Sequence, residues 1–360
     1  MGSVKTGENK MKRKMLCFAL VLMMCFGLSI PALAAEDSQY TPKYGRDPNN
    51  YDVAGRSAFV TDGEYFYYIS HGGYSEATGQ FLPDKIVKQS IDGQTQTFIY
   101  TSDVKIGNQP VSLSNSFNLM DGYLYFKDEC DNIYRLKTDG TFADCIFKRD
   151  PNRNDYIYNI RQMLVIDDRL YLIWANHITF QNDLISMKLD GSDVKTVENK
   201  NFLTYFVARG EWLYFGGNGE YFCYNIHTGA TKTFYKTVGS GESIQLVGFS
   251  DDGRVHYTVS YTHGLVINWE FFGKHYSSMP DGSDYRQEKE LMGNNYSYWI
   301  VGNDYLYYAD DGYIYKSSLY DEDTPIRITD KAVESRPGRD FGYHNGFVYV
   351  NNCGVYKVSN

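Results

Sequence analysis

Proline is scarce in this sequence, 9 in 360 residues, and there are only 6 cysteines and 4 tryptophans. With so few prolines, and glycines without a period of three, a collagen-like or proline-rich chain is excluded. No stretch sustains a 3.6-residue apolar period, which excludes a coiled coil or a helical bundle. Only one apolar run, near the amino end, approaches the length of a membrane span, so a multi-span protein is excluded as well. Positive charge is short: 35 Lys and Arg stand against 44 Asp and Glu, a net charge of −9. That sign disfavours nucleic acid and anionic lipid surfaces as partners. Neither His-Glu-x-x-His nor Cys-x-x-Cys occurs, which leaves zinc without support and the metal and cofactor expectation at none. In abundance are 34 Tyr and 21 Phe, which bias the chain towards β structure.

The amino end reads as an export address. Lys12, Arg13 and Lys14 precede the almost unbroken apolar run Leu16 to Ile30, then Pro31 and the small-x-small pattern Ala32-Leu33-Ala34. This is the layout of a signal peptide cut after Ala34, with Ala35 as the alternative edge, and the run of about 15 residues is short for a retained helix. Removing residues 1–34 takes five basic and one acidic residue from 35 and 44, leaving 30 and 43 and a net charge of −13. The expectation is a secreted or cell-surface protein, monomeric, with no membrane span in its mature chain.

Beyond residue 56 the sequence repeats one hairpin. Asp121-Gly122-Tyr123-Leu124-Tyr125-Phe126 is a turn followed by an alternating strand. Ile133-Tyr134-Arg135-Leu136-Lys137-Thr138-Asp139-Gly140 is a second strand entering an Asp-Gly turn. Alignment on Tyr125 places Tyr67, Tyr171, Tyr214, His256, Tyr307 and Tyr349 at the same position, at intervals of 42 to 58 residues. That is the length of one four-stranded propeller blade. The expected fold is all-β, a single propeller of four-stranded antiparallel blades over residues 56–360. Seven blades are expected, with six as the alternative. The last unit ends after its third strand, and Asn49 to Gly55, within an N-terminal segment 35–55, is the candidate ring-closing strand.

Loop lengths distinguish two faces. With strands lettered A to D in each unit, the third strand reaches its turn glycine in 7 residues copy after copy, as in Ile86 to Gly93 and Ile133 to Gly140. The distance from the second-strand anchor to the third strand instead ranges from 6 to 19 residues. Length variation therefore gathers on the B–C and D–A face, and variable loops on a rigid scaffold are where binding usually sits.

Asn50-Tyr51-Asp52-Val53-Ala54 ahead of Asp62-Gly63-Glu64-Tyr65-Phe66-Tyr67-Tyr68, with the later Ile-Tyr-Arg/Lys…Asp-Gly-Thr/Ser units, resembles one family. It is the low-density-lipoprotein-receptor-related-protein-like β-propeller domain of exported bacterial proteins, mostly Gram-positive. The resemblance covers roughly Tyr40 to Asn360 and implies the propeller fold. That family has no established function, so no catalytic residue is carried over. The Tyr-Trp-Thr-Asp motif of the animal receptor propellers is absent.

Chemistry-bearing motifs are sparse. Asp150 to Asp155 begins like a calcium loop but has Asp155 where the turn wants Gly and Arg161 where a bidentate Glu belongs. Ser240 lacks the strand–turn–helix context of a nucleophile elbow, and Ser250-Asp251-Asp252-Gly253 is one residue short of a sialidase box. The long B–C loops of units 1, 3 and 5 (residues 69–85, 173–183 and 258–274) each combine a histidine with aromatics. From them come the candidate ligand-binding residues Trp174, His177, Tyr261, His263, Trp269, His71 and Tyr74. An aromatic and imidazole rim suits stacking on sugar faces or gripping a peptide. His256, on a strand, reads as a core histidine.

Three readings of function follow. The first is a non-enzymatic binding module for a glycan or an extracellular protein. The second is a secreted carbohydrate-active hydrolase or lyase using acidic residues in the channel. A structural spacer in an envelope assembly is the third. Carboxylates with raised pKa converging on the long-loop face would select the enzyme. Four cysteines follow the export signal: Cys130, Cys145, Cys223 and Cys353. Pairing across the Asp139-Gly140 turn sets Cys145 opposite Tyr134, about 13 Å from Cys130. A disulfide is therefore not expected, since its Cα atoms must lie within about 7 Å.

Overall fold

The structure, a computed structural model, describes residues 41–46, 59–149, 158–176, 181–201, 206–216, 220–236, 242–261, 274–288, 300–302, 304–310, 313–321, 324–329, 341–344, 346–350 and 354–358. The first sheet has the order β1 (Phe59–Thr61), β2 (Tyr65–Ser70), β5 (Lys85–Ser90), β6 (Gln96–Thr101). Its B–C loop carries a small hairpin, β3 (Tyr74–Ser75) with β4 (Gln80–Phe81). A second hairpin, β7 (Lys105–Ile106) with β8 (Gln109–Pro110), precedes the next sheet. The second sheet holds β9 (Leu113–Met120), β10 (Tyr123–Asp128), β11 (Ile133–Lys137) and β12 (Ala143–Phe147). The third is β13 (Tyr158–Ile166), β14 (Arg169–Asn176), β15 (Gln181–Lys188) and β16 (Lys195–Asn201). The fourth is β17 (Phe206–Arg209), β18 (Trp212–Gly216), β19 (Glu220–Asn225) and β20 (Thr231–Lys236). The fifth is β21 (Glu242–Phe249), β22 (Val255–Tyr261), β23 (Lys274–Ser278) and β24 (Arg286–Gln287). The sixth is β25 (Ile300–Gly302), β26 (Tyr305–Asp310), β27 (Tyr313–Ser318) and β28 (Ile326–Arg327). A three-stranded sheet follows: β29 (Phe341–His344), β30 (Phe347–Val350) and β31 (Gly354–Lys357).

This is a β-propeller of small antiparallel blades. The first strand of each sheet is innermost: β9 packs on β1 and β13, β21 on β17 and β25, and β29 on β25 and back on β1. Phe347 meets Phe66 edge-on at 5.2 Å across that last contact. The proposed ring-closing strand, Asn49 to Gly55, lies outside the described residues.

Apolar side chains fill the spaces between sheets because alternate residues of the inner strands face one neighbour or the other. The second strands carry a tyrosine at the third residue from the A–B turn: Tyr67, Tyr125, Tyr171, Tyr214, Tyr257 and Tyr307 are all buried. Here the structure corrects the sequence alignment. The fifth blade turns through Ser250 to Arg254, and Phe249 pairs with Val255, so Tyr257 rather than His256 takes the tyrosine position. A turn longer than its counterparts shifts the alignment by one residue. His256 is nonetheless fully buried, as expected of a core histidine.

Three of the C–D turns share one chemistry. Asp139 accepts from the Thr141 N–H and hydroxyl at 2.9 and 2.6 Å, and Asp190 with Ser192 and Asp281 with Ser283 repeat the arrangement. The turn at Gly140 is not the two-residue type I′ form that Asp-Gly pairs favour. Gly140 N–H donates to Lys137 O at 2.9 Å, Lys137 N–H donates to Phe142 O at 2.9 Å, and of the Asp139-Gly140 pair only Gly140 has positive φ, 76°. The loop is therefore a type I turn with a left-handed fourth residue. The pairing register is unchanged: Tyr134 stands opposite Cys145, as the sequence implies. Cys130, Cys145 and Cys223 are free thiols; Cys353 lies outside the described residues.

Candidate functional site on the long-loop face

On the long-loop face, the first blade's B–C loop runs from β2 to β5. Its fixed point is Asp84, which is buried and collects three donors. Gly72 N–H donates at 2.9 Å, Leu113 N–H at 2.8 Å, and His71 Nδ1 lies 3.0 Å away. Leu113 opens the second blade, so one carboxylate ties the loop to the neighbouring sheet. Burial pushes the Asp84 carboxyl up, but the hydrogen bonds from His71, Gly72 and Leu113 outweigh it and hold the group below the ordinary carboxylate value. The His71 side chain keeps 40% of its surface exposed while one ring nitrogen is held by a buried acid. A carboxylate on one nitrogen fixes the orientation of an imidazole and directs the other nitrogen.

Beside this dyad the hairpins β3–β4 and β7–β8 lie against each other. They and their flanks leave Tyr74 58%, Phe81 51%, Leu82 45% and Ile106 67% exposed. Tyr74 and Phe81 pack edge to face at 5.2 Å and 64°. Large apolar side chains grouped at loop tips, instead of scattered singly, mark a surface that meets a partner. Phe81, Leu82 and Ile106 were not among the sequence candidates. Phe81 and Leu82 belong to the long B–C loop 69–85 already read from the sequence; for Ile106 the signal was the length of the D–A connection after residue 101, a second insertion on the same face.

Trp174 sits elsewhere than expected. The third blade's strands run longer than the sequence suggested, so Trp174 is a residue of β14, paired with Ile160 and Asp183. It packs edge-on against Phe147 at 5.5 Å and 86° and joins a core cluster. Tyr261 closes β22 opposite Glu242. His177, His263 and Trp269 lie outside the described residues, as does the calcium-like segment 150–155.

Among the described residues the carboxylates of raised pKa do not converge. Asp183, raised by burial, is on the long-loop side of the third blade. Asp251, raised by burial and by nearby Asp304, is in the A–B turn of the fifth. The two residues therefore lie towards opposite faces. Among the described residues no three His, Cys, Asp or Glu side chains gather closely enough to hold a metal ion.

No family model and no curated protein matches the sequence. Solved structures do resemble the fold. An oligogalacturonate lyase in complex with manganese superposes with a TM-score of 0.54 at 12% identity, covering 89% of this chain and 91% of that one. An oligogalacturonate lyase from Vibrio parahaemolyticus gives 0.55 at 10% identity, over 89% and 94%. YCF48 bound to a D1 peptide gives 0.50 at 12%, over 89% and 96%. At such identities the likeness establishes a β-propeller and no more.

Proposed function

We propose that the protein is an exported binding module that grips an extracellular protein or a glycan with the rim of its long-loop face. One observation carries this reading: an exposed cluster of Tyr74, Phe81, Leu82 and Ile106 beside a histidine anchored on Asp84. Aromatic and aliphatic anchors supply contact energy, and an oriented imidazole supplies direction. Export is supported by the signal-peptide pattern of residues 12–34. A count of seven blades is supported by the three-stranded sheet β29–β31, which lies between the sixth sheet and the first. Membership of the receptor-related bacterial propeller family rests on the turn and tyrosine motifs. Among the described residues the separated Asp183 and Asp251 give the hydrolase or lyase reading no acid pair.

The test is a glycan array and an envelope pull-down, each run with the unaltered protein and with a Tyr74→Ala/Phe81→Ala variant. A ligand whose binding falls tenfold or more in the variant supports the reading. A ligand that the variant retains unchanged overturns it.

A further inference from the structure

The tight-turn face also grips a peptide, and the peptide is the chain's own. Residues 43–46 belong to none of the sheets, yet they lie along the inner edges of the second and third. Gly45 N–H donates to Val165 O at 2.8 Å, Leu119 N–H donates to Gly45 O at 2.5 Å, and Asp167 N–H donates to Lys43 O at 2.9 Å. Lys43 N–H returns a bond to Asp167 Oδ1 at 2.9 Å. The Tyr44 hydroxyl reaches the fourth blade, donating to Gly210 O at 2.7 Å. Arg46 is buried, with Nε donating to Met163 O at 3.3 Å.

Two features bear on what the notch accepts. A Cβ at Gly45 would stand 2.8 Å from the Cβ atoms of both Asn118 and Val165, so the notch admits only glycine there. The notch walls are also joined without the segment. Buried Asn118 accepts from Val165 N–H at 2.9 Å and donates to Met163 O at 3.2 Å. Gln162 makes the same kind of stitch to Phe206 one blade on, at 2.7 Å in both directions. An amide side chain here replaces a peptide unit, so neighbouring blades are tied to each other by bonds that do not pass through the segment.

We propose that this notch is a peptide-binding site specific for an extended aromatic-Gly-Arg segment. Residues 43–46 are its resident, releasable occupant, and a peptide of the same chemistry takes their place.

The probe is a fluorescein-labelled peptide with the sequence of residues 41–46, Thr-Pro-Lys-Tyr-Gly-Arg. In the full chain, Gly45→Val evicts the resident segment. This variant should bind the peptide at least tenfold more tightly than the unaltered protein does, and a peptide with valine in place of glycine should bind neither. A folded Gly45→Val protein that binds the peptide no better than the unaltered chain overturns the proposal. Hydrogen exchange on the unaltered protein decides it without any substitution. The Leu119 and Asp167 amides, held by the segment, should exchange at least tenfold faster than the Val165 amide, held by Asn118. Equal rates would make the segment a permanent part of the core and overturn the proposal.

Discussion

The two faces of this propeller are built on opposite rules. On the tight-turn face, short loops satisfy their own backbone groups through a local Asp, Ser or Thr, and the segment Lys43 to Arg46 lies against the inner edges. On the long-loop face, insertions carry their own small hairpins, expose large apolar side chains, and depend on a few buried acids. Asp84 is one. Asp131 is another, with Lys127 Nζ at 2.8 Å and Arg149 at 3.0 Å. Local hydrogen bonding makes a turn indifferent to what surrounds it, whereas a loop held by one carboxylate is free to vary everywhere else.

The largest expected effect exposes a weak point on the rigid side. In the fifth blade, His256 Nδ1 lies 2.9 Å from His275 Nε2, and its Nε2 lies 2.9 Å from Ser250 Oγ. Burial, then neighbouring His275, pushes the His256 pKa down to about 3. A folded pKa below the ordinary 6.5 means that the unfolded chain takes up a proton first as pH falls. The stabilisation is complete above about 6.5 and is lost progressively towards about 3, at about 1.4 kcal/mol for each unit of separation. Chemical denaturation from pH 8 to 4 should show this fall, and His256→Gln should flatten it. A profile unchanged by the substitution would mean that the pair is not the weak point.

Next comes the post of the opposite face. Asp84→Ala leaves the Gly72 and Leu113 amides without their acceptor and should cost about 3 kcal/mol. The loss should appear in urea denaturation, together with faster proteolysis in residues 71–84. If the cost is below about 0.5 kcal/mol, the long-loop face does not hang on this acid. Gly140→Ala should cost about 2 kcal/mol. It places a Cβ at a φ of 76°, 3.0 Å from Ile99 O of the preceding blade, and neither strain nor contact relaxes cheaply. Affinity for a long-loop ligand should not change in the folded fraction.

Much of this division was legible in the sequence. Equal third-strand-to-turn spacings and unequal B–C spacings separated the faces, and period-2 tyrosines placed the blades. Three things were not legible, each for a physical reason. The His256 alignment slipped because a turn can lengthen without changing its Ser and Asp chemistry. Trp174 was assigned to a loop because residues 173–176 and 181–183 lack an alternating pattern, although strand pairing continues through them. The Lys43 to Arg46 docking left no pattern at all. A glycine required by contact with Asn118 and Val165 looks like any other glycine until the blades that touch it are in place.

The smallest expected change in stability belongs to the residues proposed to meet the ligand. Tyr74 and Phe81 touch each other across a small hairpin and expose more than half of their surface. Truncating Tyr74 should therefore move folding stability by no more than about 0.5 kcal/mol. Trp174→Ala removes a ring packed on Phe147 and the core, and should cost about 2–3 kcal/mol of stability whatever it does to binding. With a ligand in hand, Tyr74→Ala should weaken binding by about 1–3 kcal/mol, the range of an interface anchor. Titration calorimetry beside thermal denaturation separates the two. If Tyr74→Ala proves as destabilising as Trp174→Ala and leaves affinity intact, the small hairpin is scaffold and the exposed cluster is not the site.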